Sequence, residues 1–72
     1  MSEDRLVMIL KTESEINRIG DHRRFKIIKS HLGSVGDTVQ FLINVLNYKK
    51  WLANKIAYNV NYRAEYYRKN RA

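Results

Sequence analysis

The chain has 72 residues, 44% of them apolar, and contains neither cysteine nor proline. A single domain of this length buries only about 60% of the surface that its unfolded chain exposes, and the lack of cysteine excludes disulfides and thiolate metal sites. Fourteen Lys and Arg against seven Asp and Glu give a net charge of +7, which favours nucleic acid as a partner over an anionic membrane. No apolar run approaches the ~18 residues of a membrane span, so we expect an intracellular protein that does not enter membranes.

The first predicted element is a β-strand at about residues 5–11, built on the short apolar run from Leu6 to Leu10. A buried helical turn would show the same run, but Thr12 and the acids after it are typical of a helix that begins there. A lone strand leaves its backbone N–H and C=O groups unpaired. We therefore predict that it pairs with the same strand of a second copy, giving a homodimer with an intermolecular two-stranded antiparallel ribbon.

A helical segment is predicted next, at about residues 13–32. Gly20 interrupts it and favours two short helices, the second of them capped by Asp21. Whether Gly20 separates two helices or bends one stays open at this point.

The rest of the chain is also predicted to be helical. Gly33 ends the preceding segment, and Ser34 caps a strongly apolar helix at about 35–46, which we expect to be buried at the centre of the dimer. A basic helix follows at about 48–68. The predicted fold class is therefore mainly α with one N-terminal β-strand, in a single domain over residues 1–72.

The basic C-terminal helix is rich in aromatic residues. Tyr58, Tyr62 and Tyr66 repeat every four residues and so lie along one side of a helix. Such a row can provide stacking platforms for unpaired bases, or its rings can pack on the dimer while their hydroxyls stay in water. Packing is the favoured interpretation because a small core needs the area, and Trp51 is assigned to the core or an interface for the same reason.

One segment carries a family resemblance. The sequence GSVGDTV at residues 33–39, followed by Phe41-Leu42-Ile43, resembles the turn of the ribbon-helix-helix superfamily of DNA-binding dimers. The resemblance covers about residues 5–46. It implies that the paired strands enter the major groove of duplex DNA and that the N-terminus of the second helix binds a phosphate. The additional C-terminal helix suggests an elaborated version, of the kind found among small proteins of archaeal spindle-shaped viruses, which would act in the host cytoplasm.

The resemblance and the strand alternation together define the predicted DNA-binding residues. They are the outward strand positions and the start of the second helix: Lys11, Arg5, Val7, Ile9, Ser34, Val35 and Gly36. Unpaired N–H groups and the helix dipole make such a helix start suitable for an anion. Val7 and Ile9 cannot hydrogen-bond base edges, so we expect weak sequence selectivity, with Lys11 as the principal contact.

These features predict a homodimeric double-stranded DNA-binding protein that acts as a transcriptional regulator or a DNA-coating factor. Two alternatives stay open: a protein-interaction adaptor that uses the aromatic and basic C-terminal helix, and a helix-turn-helix DNA binder in which residues 5–11 are helical. We expect no metal or cofactor, because His22 and His31 lack neighbours at ligand spacing. The scattered carboxylates and the short chain also argue against an enzyme.

Overall fold

The structure is a computed structural model that describes residues 3–63. Its elements are four α-helices and a closing turn of π-helix, here called the π-segment. Their bounds are α1 Glu3–Asn17, α2 Asp21–Leu32, α3 Val35–Asn44, α4 Lys50–Ala57 and the π-segment Tyr58–Arg63. No β-strand occurs between residues 3 and 63, so the predicted strand is wrong. None of the helices in this range is long and apolar enough to cross a bilayer.

The N-terminal apolar run is helical because its residues are buried with helical spacing. Leu6 and Leu10 are 1% and 3% exposed, whereas Met8, which a strand would place on their face, is 69% exposed. Residues four apart share a helix face. A helix satisfies most of its backbone hydrogen bonds internally, so this segment needs no partner strand. The predicted intermolecular ribbon is therefore wrong, and the argument for a homodimer that depended on it no longer applies.

The connection between α1 and α2 has a different construction from the predicted one. The left-handed residue that follows α1 is Arg18, with φ +50°. Gly20 occupies the N-cap of α2 in an extended conformation, and Asp21 begins the helix without capping it. The Asp21 carboxylate instead accepts a hydrogen bond from the Arg24 guanidinium at 3.0 Å. Two separate helices result, joined by a short turn.

The turn between α2 and α3 confirms the prediction for Gly33 and Ser34. Gly33 adopts φ +89° and donates its N–H to the carbonyl of Lys29, which closes α2. Ser34 is the N-cap of α3, and its hydroxyl accepts a hydrogen bond from the N–H of Asp37 at 3.1 Å. Local side-chain chemistry was sufficient to fix this boundary.

The second helix, α2, lies at the centre of the fold and contacts every other element. Its Phe25 and Ile28 are wholly buried. Around them packs the rest of the core, which is made of Leu6, Leu10, Phe41, Leu42, Ala53, Ile56 and Ala57. The central position that the sequence assigned to α3 therefore belongs to α2. The part of the predicted C-terminal helix beyond Arg63 lies outside the described residues.

Candidate nucleic-acid interface

The predicted contacts from the N-terminal segment lie on α1 and no longer share a face. Arg5 and Lys11 are exposed, whereas Val7 and Ile9 are partly buried, and Val7 packs against the core. Val7 and Lys11 line one groove beside Arg24, and Ile9 lines another that α1 forms with α2. The four residues therefore do not form the outward surface that a strand would have presented.

An internal cap uses one of the N–H groups at the start of α3, beside the predicted phosphate site. The Ser34 hydroxyl accepts the N–H of Asp37, and the Thr38 hydroxyl donates to the Ser34 carbonyl at 2.7 Å. Val35 is partly buried against the core and Gly36 is exposed. The Asp37 carboxylate also stands in the first turn and lines a groove together with the carboxylate of Glu3. Two carboxylates beside this helix end oppose the approach of a phosphate.

Charge is segregated by helix. α1 carries two basic and four acidic side chains, and α3 carries one acidic and no basic side chain, so their net charges are −2 and −1. In contrast, α2 carries four basic side chains and one acidic, and residues 45–63 carry four basic and none acidic, giving +3 and +4. Six of the seven predicted contacts therefore fall on the two helices that are net negative, and the seventh, Ser34, is the N-cap of α3.

The two positive elements, α2 and the α4 segment with its π-segment, are neighbours in space. α2 contacts both α4 and the π-segment, and the Lys29 ammonium donates to the Asn61 side-chain oxygen at 3.0 Å. Exposed cations lie on both: Lys49, Lys50 and Lys55 at the start and outer side of α4, and Arg23 and Lys26 on α2, where they also line the groove between α2 and α1. We call this arrangement the cationic helix pair.

One basic residue of α2 has an internal role. Arg24 bonds the Asp21 carboxylate at 3.0 Å, the Tyr48 hydroxyl at 2.7 Å and the Ser14 hydroxyl at 3.2 Å. Tyr48 in turn donates to Asp21 at 2.6 Å. Burial of the Tyr48 hydroxyl and its bond to Asp21 raise the pKa of this phenol, against a smaller opposing effect of Arg24. This cluster joins α1, α2 and the loop before α4.

A row of exposed aromatic side chains occupies the outer side of α4. Trp51 is 63% exposed, and Tyr58 and Tyr62 are each 60% exposed. Lys55 is exposed between them, one helical turn from Trp51 and one from Tyr58. We call these four residues the aromatic face. The Tyr58 and Tyr62 rings contact each other with centroids 5.9 Å apart and planes tilted by 39°.

The three aromatics that the structure describes are exposed rather than packed in the core of the chain, so their assignment to the core is wrong. The alternative assignment of Trp51 to an interface stays a prediction. The buried side of α4 consists of Ala53, Ile56 and Ala57, which places the large rings opposite the core. Tyr66 lies outside the described residues. The signal that identifies the aromatic face in the sequence is the spacing of Trp51, Lys55, Tyr58 and Tyr62 by four, three and four residues.

The side chain of Asn61 connects the π-segment to its neighbours. Asn61 donates from its amide nitrogen to the Ala57 carbonyl at 2.7 Å and accepts from Lys29 through its oxygen. Both ends of the amide are therefore used, and they connect the π-segment to α2. Short π-helical turns are often found at functional sites.

Residues 3–63 contain no group of three or more His, Cys, Asp or Glu side chains that could hold a metal ion. Comparison with protein-family models, with curated proteins and with solved structures finds no match for this chain.

Proposed function

We propose that this protein binds duplex DNA with little sequence selectivity through the cationic helix pair. The observation that carries the proposal is the segregation of charge: α2 carries +3 and residues 45–63, which include the α4 helix that contacts α2, carry +4, while α1 and α3 carry −2 and −1. Positive charge concentrated on neighbouring helices attracts a polyanion and orients it before contact. The net charge of +7 adds a long-range attraction of the same sign.

The binding energy on this proposal comes mainly from phosphates. Each Lys or Arg that neutralises a phosphate releases a condensed counterion, so affinity falls steeply with salt. Four of the five exposed cations of the helix pair are lysines, which act as point charges and carry no base-reading geometry. Low selectivity suits a DNA-coating role better than the control of a single operator.

The helix-turn-helix alternative receives less support. In that arrangement the second helix enters the major groove, and α3 follows α2 through a tight turn. However, α3 has Asp37 in its first turn and no basic residue. Its exposed Gln40 and Asn44 bond each other at 3.2 Å. The acidic character of α3 favours contact through α2 and α4 instead.

The test is a titration of labelled random-sequence duplex at several salt concentrations, followed by fluorescence anisotropy. Lys26→Glu and Lys50→Glu reverse a charge on α2 and α4, and Lys11→Glu makes the same change on α1. All three side chains are exposed. We expect the first two to weaken binding severalfold and to reduce the salt slope by about one each, and Lys11→Glu to have a much smaller effect. Absence of binding by the parent, or equal losses in all three variants, would contradict the proposal.

A second candidate function, an adaptor for an acidic protein partner, is favoured by the exposure of Trp51, Tyr58 and Tyr62. Aromatic side chains with adjacent cations are common at protein interfaces. Deletion of the α4 region cannot test this alternative, because Ala53, Ile56 and Ala57 belong to the core. Point substitutions on the aromatic face are required.

A further inference from the structure

The aromatic face raises the question of what covers three large exposed rings. Trp51, Tyr58 and Tyr62 occupy one side of a continuous helical segment, while the opposite side is packed into the core. A Tyr or Trp ring can bury roughly 150–250 Å² when it is covered. Single exposed apolar side chains are ordinary on protein surfaces, but contiguous ones mark interaction sites.

Charge identifies the chemistry of the partner. Lys55 lies within the aromatic face, Lys49 and Lys50 lie at the start of the same helix, and no acidic residue occurs between Asp37 and Glu65. A second copy of the chain would bring Lys55 towards its own equivalent and add another +7. The complement of an aromatic and cationic face is a ligand with flat rings and negative charges.

We propose that the aromatic face binds unpaired nucleotides, with bases stacked on Trp51, Tyr58 and Tyr62 and phosphates paired with Lys55. This inference rests on the proposed nucleic-acid function and specifies which form of nucleic acid this surface recognises. Aromatic platforms next to cations are the usual means of binding single strands, because every base has a π-face. Bases inside a duplex are already stacked on one another and cannot reach such platforms.

The ring geometry limits how bases can stack. A base held between two parallel rings needs roughly 7 Å, twice the 3.4 Å stacking repeat, and the Tyr58 and Tyr62 centroids are only 5.9 Å apart. The two tyrosines therefore form one platform and Trp51 forms another. At the α-helical rise of 1.5 Å per residue, the eleven steps from Trp51 to Tyr62 span at most about 16 Å, because the π-segment rises less per residue. That length corresponds to roughly five stacked nucleotides.

Asn61 is a positioning residue for the tyrosine platform. It bonds the Ala57 carbonyl at 2.7 Å and the Lys29 ammonium at 3.0 Å. These bonds fix the π-segment from which Tyr58 and Tyr62 project. The bond to Lys29 also connects the platform to α2.

The only tryptophan of the chain is Trp51, so intrinsic fluorescence reports directly on stacking at this face. We would titrate the full chain with oligo-dT of three to twelve nucleotides and with duplexes of matched length, following both Trp51 emission and anisotropy. The expected result is quenching by oligo-dT that strengthens up to about five nucleotides and then levels off. Duplex of the same length should quench weakly.

Paired variants separate stacking from charge. Tyr58→Leu combined with Tyr62→Leu removes one platform and should weaken oligo-dT binding by about fivefold or more, while duplex affinity stays within about twofold. Tyr58→Phe combined with Tyr62→Phe keeps the rings and should bind oligo-dT as the parent does. Both positions are exposed, so the fold should tolerate all four changes, which circular dichroism would verify.

Three results would overturn the inference: oligo-dT binding that the Leu pair leaves unchanged, oligo-dT binding without quenching of Trp51, or quenching by polyglutamate but not by oligo-dT. The last result would show that the aromatic face binds an acidic protein partner instead of nucleotides. A different result would contradict the proposed duplex-binding function: Lys50→Glu would leave duplex affinity unchanged. Each failure can therefore be recognised independently of the other.

Discussion

Lys29 on α2 donates a hydrogen bond of 3.0 Å to the side-chain oxygen of Asn61, thirty-two residues further along the chain. This bond connects the central helix to the π-segment, and the same amide donates to the Ala57 carbonyl at 2.7 Å. A single side chain thus maintains both the local backbone geometry and a long-range contact.

We expect Asn61→Ala to lower the free energy of unfolding by about 1–3 kcal/mol, since two partly buried hydrogen bonds are lost. Asn54→Ala is the matched control on the exposed side of α4, and it should change stability by no more than about 0.5 kcal/mol. Urea unfolding followed by circular dichroism measures both. Similar values for the two variants would show that the Asn61 contacts do not stabilise the fold.

Because the N-terminal segment is helical, we expect two nearby alanine substitutions in it to lower the free energy of unfolding by unequal amounts. Leu6→Ala should destabilise by about 2–5 kcal/mol because it opens a cavity in the core. Met8→Ala should change stability by less than about 0.5 kcal/mol, because Met8 is 69% exposed. Urea unfolding curves distinguish the two. A strand would place both side chains on one face, so equal losses would argue for a strand.

Two glycines around the α2–α3 turn should respond in opposite directions to alanine. Gly33 has φ +89°, where an added Cβ costs roughly 1–2 kcal/mol. Gly36 lies in the first turn of α3 with open space around its Cα, so alanine there should stabilise by up to about 1 kcal/mol. Thermal unfolding of the two single variants measures both signs, and a stabilising Gly33→Ala would contradict the left-handed cap.

Tyr48 should make the protein sensitive to alkaline pH. Burial and the bond to Asp21 raise its pKa above the ordinary value of 10.0, so the folded state holds this proton more tightly than the unfolded state. The resulting stabilisation is fully present below pH 10 and is lost as pH rises through the folded-state pKa. Urea midpoints between pH 8 and 12 should therefore decline more in the parent than in Tyr48→Phe.

The control for Tyr48→Phe is Tyr62→Phe, which changes a 60% exposed phenol. It should retain the parent's alkaline decline. If Tyr48→Phe declines as much as the parent does, the loss of stability comes from other groups.

The features that could be predicted from sequence are those that depend on neighbouring residues alone. Gly33 and Ser34 define the α2–α3 boundary through a left-handed residue and a side-chain cap. The prediction of a strand for the N-terminal apolar run was wrong because a short apolar stretch fits a strand and a buried helix equally well. The decisive fact, that Leu6 and Leu10 are buried while Met8 is exposed, depends on the position of α2.

The exposure of the aromatic face could not be predicted from the sequence for a different reason. The large aromatic side chains were predicted to be buried because a small core needs apolar area. In the structure, α4 packs Ala53 and Ala57 against the core instead. Small side chains allow a helix backbone to approach its neighbours closely, and the rings then face outward. Which side of α4 faces inward is a property of the assembled helices, whereas the spacing of Trp51, Lys55 and Tyr58 is visible in the sequence.

Two of the connections between helices turn through left-handed residues that are not glycine: Arg18 with φ +50° and Asn47 with φ +61°. This conformation costs an L-residue roughly 1–2 kcal/mol, less for Asn, whose short side chain can bond locally. Glycine at either position would therefore make the protein more stable than it is with the natural residue. Selection keeps proteins only just above the stability that their function requires, and at these two turns it has tolerated the strain.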